Sequence, residues 1–443
     1  MENARLKKSV TVLEAMAIVI GMIIGSGIFL KPGIVLHNAG SQTLGLLAWA
    51  AGGVVTLAAA LTVSEITSAI PRSGGLYTYL GDLYGRPVGF LLGWVQTIVA
   101  YPASVAALAI AFSTYAAYFV PMGALQQKFL AVGALTFVLL MNVLATKCGG
   151  VIQTAATIGK LIPVVGIIVF GLASHSASTA AAAAVPQAVP SAAGFGVAVL
   201  GTLWAYDGWI SVTNMAGELK NPAKSLPRVI ASGVLFVIAV YVLFNLATYR
   251  VLPSSVIVAS NTPGAEAAKA LFGGFGGTFI TAGIMLSVFG ALNGYLMTSA
   301  RVPQTMGENG ELPFSRMLGA VQPRLRTPAN ALIAEAALAV VYIFSGTFDS
   351  LTDITMFVLW IFFTMGVFGI FLLRRKTRPE PGRYHVPFFP VTPLVGIVGG
   401  AYILVSTVIQ KPVPSLIGIL ITLTGLPVYL FLNRSRPGAG KAE

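Results

Sequence analysis

The sequence holds a single cysteine, Cys148, so no internal disulfide can form. A framework of the kind that staples small secreted modules is thereby excluded. Its three histidines, His37, His175 and His385, lie far apart along 443 residues, and neither a metal site nor any other cofactor is expected. Charge is also scarce. Charged residues make up 9% of the chain, against roughly 25% in a soluble domain, too few to clothe a soluble enzyme. With 56% hydrophobic residues, a disordered chain is excluded as well. Acidic residues number 14 against 27 basic ones, but the positives sit singly between apolar runs. No basic stripe exists of the kind nucleic acid requires. The G-x-S-x-G pattern and any nucleophile and base constellation are missing, so no enzyme is expected. Repeated filter segments and charge rings, the marks of a channel, are missing too.

What the chain has instead is apolar length. Twelve segments read as membrane spans, at 10–36, 42–69, 87–119, 129–146, 150–173, 192–216, 228–250, 270–299, 328–346, 351–373, 389–409 and 414–433. The first is too long for a signal-peptide core and lacks a clear cleavage site, so it counts as a span. An even number of spans puts both termini on one side. With the termini cytoplasmic, that side receives 21 of the 27 basic residues. Five (Lys31, Lys128, Arg250, Lys269 and Lys411) fall outside, and Lys160 lies within a span. This bias fixes the orientation. Residues 1–9 and 434–443 are then cytoplasmic tails, and the Ala/Ser/Pro-rich link at 174–191 is extracellular and expected to be mobile.

Two spans break their pattern at membrane depth. Span 1 carries Gly21, Gly25, Ser26 and Gly27 within IVIGMIIGSGIF, where glycine weakens a helix and permits unusual dihedrals. Close packing through small residues is the other use of such a stretch. Span 6 carries Asp207 and Gly208 within TLWAYDGWI, and an ionisable group there needs a cavity or a partner. The breaks occupy the first span of each of two five-span blocks, 10–173 and 192–374, with spans 11 and 12 following at 389–433. Because five is odd, the second block enters from the opposite side. An inverted repeat with a broken first helix in each half builds a midplane substrate site in secondary transporters. Freed amides there suit a carboxylate and freed carbonyls an ammonium group, the two ends of an amino acid.

Five stretches, IIGSGIFLKPG at 23–33, SEITSAIPRSGGLYTYL at 64–80, LWAYDGWISVTNMAGELKNPAKSLP at 203–227, FGALNGYLMTSARVPQTMGENGELP at 289–313 and RPEPGRYHVPFFPVTP at 378–393, occur in order. Together they resemble the amino acid-polyamine-organocation (APC) superfamily, and within it the L-amino acid transporter family and its bacterial light-subunit-like members. The resemblance implies an all-α membrane protein with a LeuT-like fold. Twelve transmembrane helices are expected, with a 5+5 inverted repeat and helices 1 and 6 broken. It also implies that the backbone at Gly25, Ser26 and Gly27 binds the substrate carboxylate. The carbonyls of Ile23, Trp204 and Asp207, in the broken stretch that includes Ala205 and Gly208, would receive the amino group. Trp204 stands where relatives carry a gating aromatic residue. Many animal relatives have glycine where this chain has Asp207.

Two readings of Asp207 stay open: a cap on the second half of helix 6, stabilising by about 1 kcal/mol, or a group that titrates or attracts a cationic amine. Lys160 in TIGKLIP is not a phosphate-loop lysine, since position 154 is Thr and position 161 is Leu. By resemblance it occupies the place of a bound sodium ion, bridging helices 1 and 8, which would make transport sodium-independent. The other reading is a lysine reaching from the end of helix 5 toward the headgroups. Asn293 is a further coupling or gating candidate, hydrogen-bonding substrate or helix 1, or else serving as helix–helix glue. Tyr101 and Ser104 are weaker candidates for lining the site. Glu65 is assigned to a structural pair, as Glu335 is at first, although helix 9 is peripheral in the family and leaves Glu335 without a role.

The resulting expectation is a sodium-independent exchanger of small neutral L-amino acids such as alanine, serine or threonine, working by alternating access in a bacterial inner membrane. The alternative is a proton-coupled amino acid or polyamine transporter of the same superfamily. Apart from substrate and membrane lipid, no partner is expected. The link between helices 3 and 4 reads PMGALQQK and lacks the cysteine that joins animal relatives to a heavy subunit, so a monomer without a disulfide-linked subunit is expected.

Overall fold

The computed structural model describes residues 16, 20–21, 23–70, 75–144, 146–174, 190–210, 222–322, 327–377 and 383–434. The chain before Met16, the link at 175–189, the second half of span 6 beyond Ile210 and the tail after Arg434 lie outside the described residues. Described secondary structure is all helical.

Following a bend at 24–26 come the short α1 (Gly27–Leu30) and α2 (Pro32–Ala39). Gly40, at φ 76°, closes α2 in the left-handed conformation that glycine adopts without strain. The Ser41 hydroxyl accepts from the Leu44 amide at 3.2 Å and starts α3 (Gln42–Ala69). Next are α4 (Gly75–Tyr84) and α5 (Arg86–Val95). A π turn (Gln96–Ala100) joins α5 to α6 (Tyr101–Phe119). After these come α7 (Ala124–Leu144), α8 (Thr146–Ala173) with Pro163 inside it, and α9 (Ala192–Tyr206). Ser191 caps α9 by accepting from the Gly194 amide at 3.0 Å.

The second half of the chain gives α10 (Pro222–Val251), α11 (Ser254–Ala259) and α12 (Pro263–Ser299), the last interrupted by Gly273 at φ 68°, ψ −163°. The short α13 (Arg301–Glu308) and α14 (Ser315–Leu318) lead to α15 (Ala329–Ser345) and α16 (Phe348–Lys376). Thr347 and Ser350 form a reciprocal capping box at the start of α16. The chain ends in α17 (Val391–Gln410), α18 (Pro412–Leu423) and α19 (Gly425–Arg434).

Among the described residues, eight helical stretches are long and apolar enough to cross a membrane, and Gly159–Ala173, Ala192–Tyr206 and Ala329–Ser345 are shorter apolar helices. The expected span at 42–69 coincides with α3, and 150–173 falls within α8. The expected 192–216 begins with α9, which stops at Tyr206; Trp209 and Ile210 are helical again, and 211–216 lie outside the described residues.

Helix α9 forms the centre, with every residue from Gly196 to Tyr206 buried. It is flanked by α2, α3, α16 and α17. Lipid tails are as apolar as leucine, so inner helices gain little from hydrophobicity and instead approach through small residues. A Cβ on Gly171 of α8 would lie 2.9 Å from that of Ala247 on α10. The periphery turns large apolar side chains outward, among them Phe129 and Phe137 of α7, Val405 and Ile409 of α17, and Leu416 and Phe431 beyond it. A face of that kind suits hydrocarbon rather than water.

Ion pairs tie the bundle at both ends. Lys31, between α1 and α2, is fully buried; its Nζ lies 2.8 Å from Asp349 and 3.2 Å from Asp353 of α16. Asp353 also accepts from Lys411 at 2.6 Å, so two lysines and two aspartates join three parts of the chain. At the other end of α16, Arg374 makes a two-pronged pair with Glu65 of α3, at 2.9 and 2.8 Å. The expected structural pairing of Glu65 is what the structure has. The Val386 amide also donates to Glu65, and the Arg374 guanidinium lies 3.8 Å over the Phe389 ring. Tyr384, beside this cluster, has its phenol pushed up by burial and by the Glu65 charge.

Candidate functional site

The two breaks meet. In the first, the helical ladder gives way to bends at Ile24, Gly25 and Ser26 and resumes with the amides of Phe29 and Leu30 donating to the Ser26 carbonyl at 3.1 and 3.2 Å. In the second, α9 ends in a tightened turn, the Asp207 amide donating to the Trp204 carbonyl at 3.3 Å. Gly208 follows at φ 109°, a conformation that side-chain-bearing residues rarely adopt. A Cβ on Gly27 would lie 2.6 Å from both Cα and Cβ of Ala205. Glycine at position 27 is what lets the two backbones touch.

One side chain spans the contact. The Tyr241 hydroxyl of α10 lies 2.7 Å from the Ala205 carbonyl and 3.0 Å from the Ile23 carbonyl. Both carbonyls stand at helix ends, where no intrahelical donor remains for them. A single phenolic proton is shared between them. The Tyr241 ring is held by edge contacts with Trp49 at 5.4 Å and a tilted contact with Tyr206 at 5.0 Å. Tyr206 in turn donates to the Trp49 carbonyl at 2.8 Å. Ile23, Ser26, Trp204 and Ala205 are at most 6% exposed.

A second tyrosine completes the other wall. Tyr295 of α12 donates to Asp207 Oδ2 at 2.7 Å, and its ring stacks on Trp204 at 6.2 Å and 25°. Phe348 meets Trp204 edge-on at 6.1 Å, and Tyr101 meets Tyr295 at 6.2 Å. Trp204 therefore sits in a cage of rings, one of which also holds Asp207. The π turn before Tyr101 leaves carbonyls to be satisfied from outside the ladder. Ile98 accepts from Tyr342 of α15 at 3.0 Å, and Ala100 from Ser104 at 2.7 Å. Ser104 is fully buried and spends its proton on this turn.

Lys160 donates to the carbonyl of Gly21 in the first broken helix and is 6% exposed. Its ammonium group is turned into the bundle, toward the first break, and not outward. The backbone next to it packs on α12, since a Cβ on Gly283 would lie 3.6 Å from the Gly159 carbonyl. Asn293, buried on α12, accepts from Asn142 of α7 at 2.9 Å. That bond joins two helices, the second of the roles its residue type allowed. Asp207 is the residue that ends α9, and its carboxylate accepts a hydrogen bond from the Tyr295 hydroxyl. The half-helix it was expected to cap lies outside the described residues.

Sequence reasoning named Ile23, Gly27, Trp204, Ala205 and Asp207, of which Gly27 touches Ala205 and Ile23 shares the Tyr241 hydroxyl with Ala205, and it named Lys160, which reaches the same broken helix. It missed Tyr241 and Tyr295. A tyrosine inside an apolar run adds to the run, and its hydroxyl leaves no mark in the pattern. The sole available signal was the position of Tyr295 two residues after Asn293 in the glycine-rich stretch.

A family model described as "Amino acid permease" matches residues 10–432. The serine/threonine exchanger SteT of Bacillus subtilis (strain 168) is 42% identical over 436 residues, 98% of this chain and 99% of the relative. The Asc-type amino acid transporter 1 of Mus musculus is 32% identical, over 98% of this chain and 83% of its own. The cystine/glutamate transporter of Homo sapiens is 30% identical, over 97% and 86%. These relatives are named as transporters and exchangers, not enzymes.

Proposed function

Since the chain belongs to the amino acid permease family, within the APC superfamily, and is a multi-pass membrane protein, we propose that it is a sodium-independent exchanger of small neutral L-amino acids, with serine, threonine and alanine as its substrates. The observation that carries this reading is the contact of two helix breaks, Gly27 against Ala205, with Tyr241 bonded to both. In the proposal the amides at Gly25, Ser26 and Gly27 hold the substrate carboxylate. The carbonyls of Ile23, Trp204 and Asp207 take its ammonium group, and Gly208 supplies the turn that exposes them. The aromatic surroundings, Trp204 and Tyr295 among them, favour a short neutral side chain. Similarity to a serine/threonine exchanger supports the same class.

The proposed architecture is LeuT-like: twelve transmembrane helices, helices 1–5 (10–173) and 6–10 (192–374) as inverted repeats, and helices 11 and 12 at 389–433. Both termini lie in the cytoplasm and the membrane is the bacterial inner membrane, as the distribution of Lys and Arg supports. The chain works without a disulfide-linked subunit. Substrate binding lets the two breaks part on one side and close on the other, with Trp204 moving as a gate. Lys160 does the work of a sodium ion by holding the Gly21 carbonyl.

Counterflow in proteoliposomes tests the proposal. Labelled L-serine is expected to accumulate only when unlabelled amino acid is inside, equally with sodium or choline outside. Accumulation in empty vesicles under a pH gradient would replace this reading by the second one, a proton-coupled transporter, which the Tyr295–Asp207 bond favours.

A further inference from the structure

Glu335 lies on α15, away from the two breaks, and is 3% exposed. Its Oε1 contacts the Ser299 hydroxyl, and its Oε2 is buried without a hydrogen-bond partner among the described residues. The same Ser299 hydroxyl lies 2.6 Å from the Tyr295 carbonyl, one turn back on α12. A serine hydroxyl carries one proton, and a carbonyl accepts only. The single Ser299 proton serves one of these two acceptors at a time; when it serves the Tyr295 carbonyl, the contact with Glu335 is a hydrogen bond only if Glu335 supplies the proton. An ionised Glu335 would take the Ser299 proton from that carbonyl and still leave Oε2 bare in a medium without water.

Among the described residues, the surroundings offer no cation to an ionised Glu335. From α6, Tyr101 lies within electrostatic reach of both Glu335 and Asp207. From α12, Tyr295 is engaged with Asp207. Lys128 of α7 donates to Phe344, nine residues along α15 from Glu335. Arg301 and Glu308 of α13 and Arg316 of α14 are exposed. Tyr342, on the same helix as Glu335, donates to Ile98.

We infer that Glu335 is a proton-binding site: its carboxyl donates to Ser299, and the Ser299 hydroxyl donates to the Tyr295 carbonyl. Tyr295 and Ser299 are four residues apart and share one face of α12. One holds the Asp207 carboxylate at the broken helix and the other holds the Glu335 carboxyl. Loss of the Glu335 proton to bulk solvent breaks its O–H bond, leaves the negative charge on the carboxylate and draws the Ser299 proton away from the backbone carbonyl of Tyr295. The turn that positions Tyr295 against Trp204 and Asp207 is then disturbed. Resting on the exchanger reading, the second half of the inference is that amino acid exchange slows as pH rises and Glu335 gives up its proton.

Infrared spectra of the purified full-length chain in lipid test the proton directly. Wild type is expected to show the carbonyl band of a buried protonated carboxyl. Glu335→Gln removes that band, whereas Asp207→Asn retains it. An unchanged band in Glu335→Gln, or no such band in wild type, overturns the assignment. Ser299→Ala, which deletes the acceptor, shifts the band and keeps the test open should Glu335→Gln fold poorly; an unshifted band counts against the inference. L-serine counterflow across a pH series reads the second half. Glu335→Gln is expected to lose the alkaline decline of the wild type, and a superimposable profile overturns the coupling. If wild type shows the band but no counterflow, the exchanger reading fails and the proton site stands.

Discussion

Replacing Tyr241 with phenylalanine deletes one oxygen and keeps the ring against Trp49 and Tyr206. What is lost is the proton shared between the carbonyls of Ala205 and Ile23, at 2.7 and 3.0 Å. A side-chain hydrogen bond between membrane helices contributes ~0.6 kcal/mol on average, and leaving a buried acceptor unsatisfied costs about 1–3 kcal/mol more. A total of about 2 kcal/mol corresponds to roughly 30-fold in the equilibrium between touching and parted breaks. In the proposed alternating access, the breaks part on one side at a time, so the state that needs them joined becomes scarce. Counterflow of labelled L-serine by Tyr241→Phe is therefore expected to fall by about that factor, with a lower midpoint of thermal unfolding in detergent. Wild-type counterflow together with a wild-type midpoint would refute the idea that this hydroxyl joins the two halves energetically.

Three further substitutions probe separate contacts. Gly27→Ala brings a Cβ to 2.6 Å from Ala205 Cα; overpacking of this kind costs about 1–3 kcal/mol, and counterflow should drop with it, so normal exchange would mean the breaks are not in contact. Lys160→Ala removes the donor to Gly21 and is expected to reduce exchange roughly tenfold or more; sodium-stimulated exchange in wild type would eliminate the idea that this lysine replaces an ion. Glu65→Ala leaves Arg374, with 22% of its side chain exposed, without its two-pronged partner, an imbalance of about 3–5 kcal/mol for a buried pair. The double variant Glu65→Gln with Arg374→Met should unfold at a higher temperature than Glu65→Ala alone, and equal midpoints would show the pair to be unimportant.

Much of this arrangement was legible because hydrophobic length and glycine placement are properties of the chain itself. Span 42–69 and α3 share their limits, since Ser41 supplies a cap and Gly40 a stop for the helix before it. The breaks at Gly25 to Gly27 and at Asp207 and Gly208 were visible as departures from an otherwise apolar pattern. Partners were not visible. Asn293 carries the same amide whether it meets substrate or Asn142, and only the rotation of α7 against α12 decides between them. Tyr241 and Tyr295 act through hydroxyls on rings that read as packing. Glu335 stood out as a carboxyl in an apolar helix, but its meaning lies in Ser299, 36 residues away in sequence.

The quartet of Lys31, Asp349, Asp353 and Lys411 contains two positive and two negative charges. Moved as one body, it carries no net charge through the membrane field, so voltage does no work on that motion. Pulling Lys31 alone out of the quartet across the whole field would instead engage about 2.3 kcal/mol per 100 mV. A transporter whose substrates are zwitterions and whose charged clamp stays together would turn over at the same rate in polarised and depolarised vesicles, leaving concentration alone to set the direction of exchange.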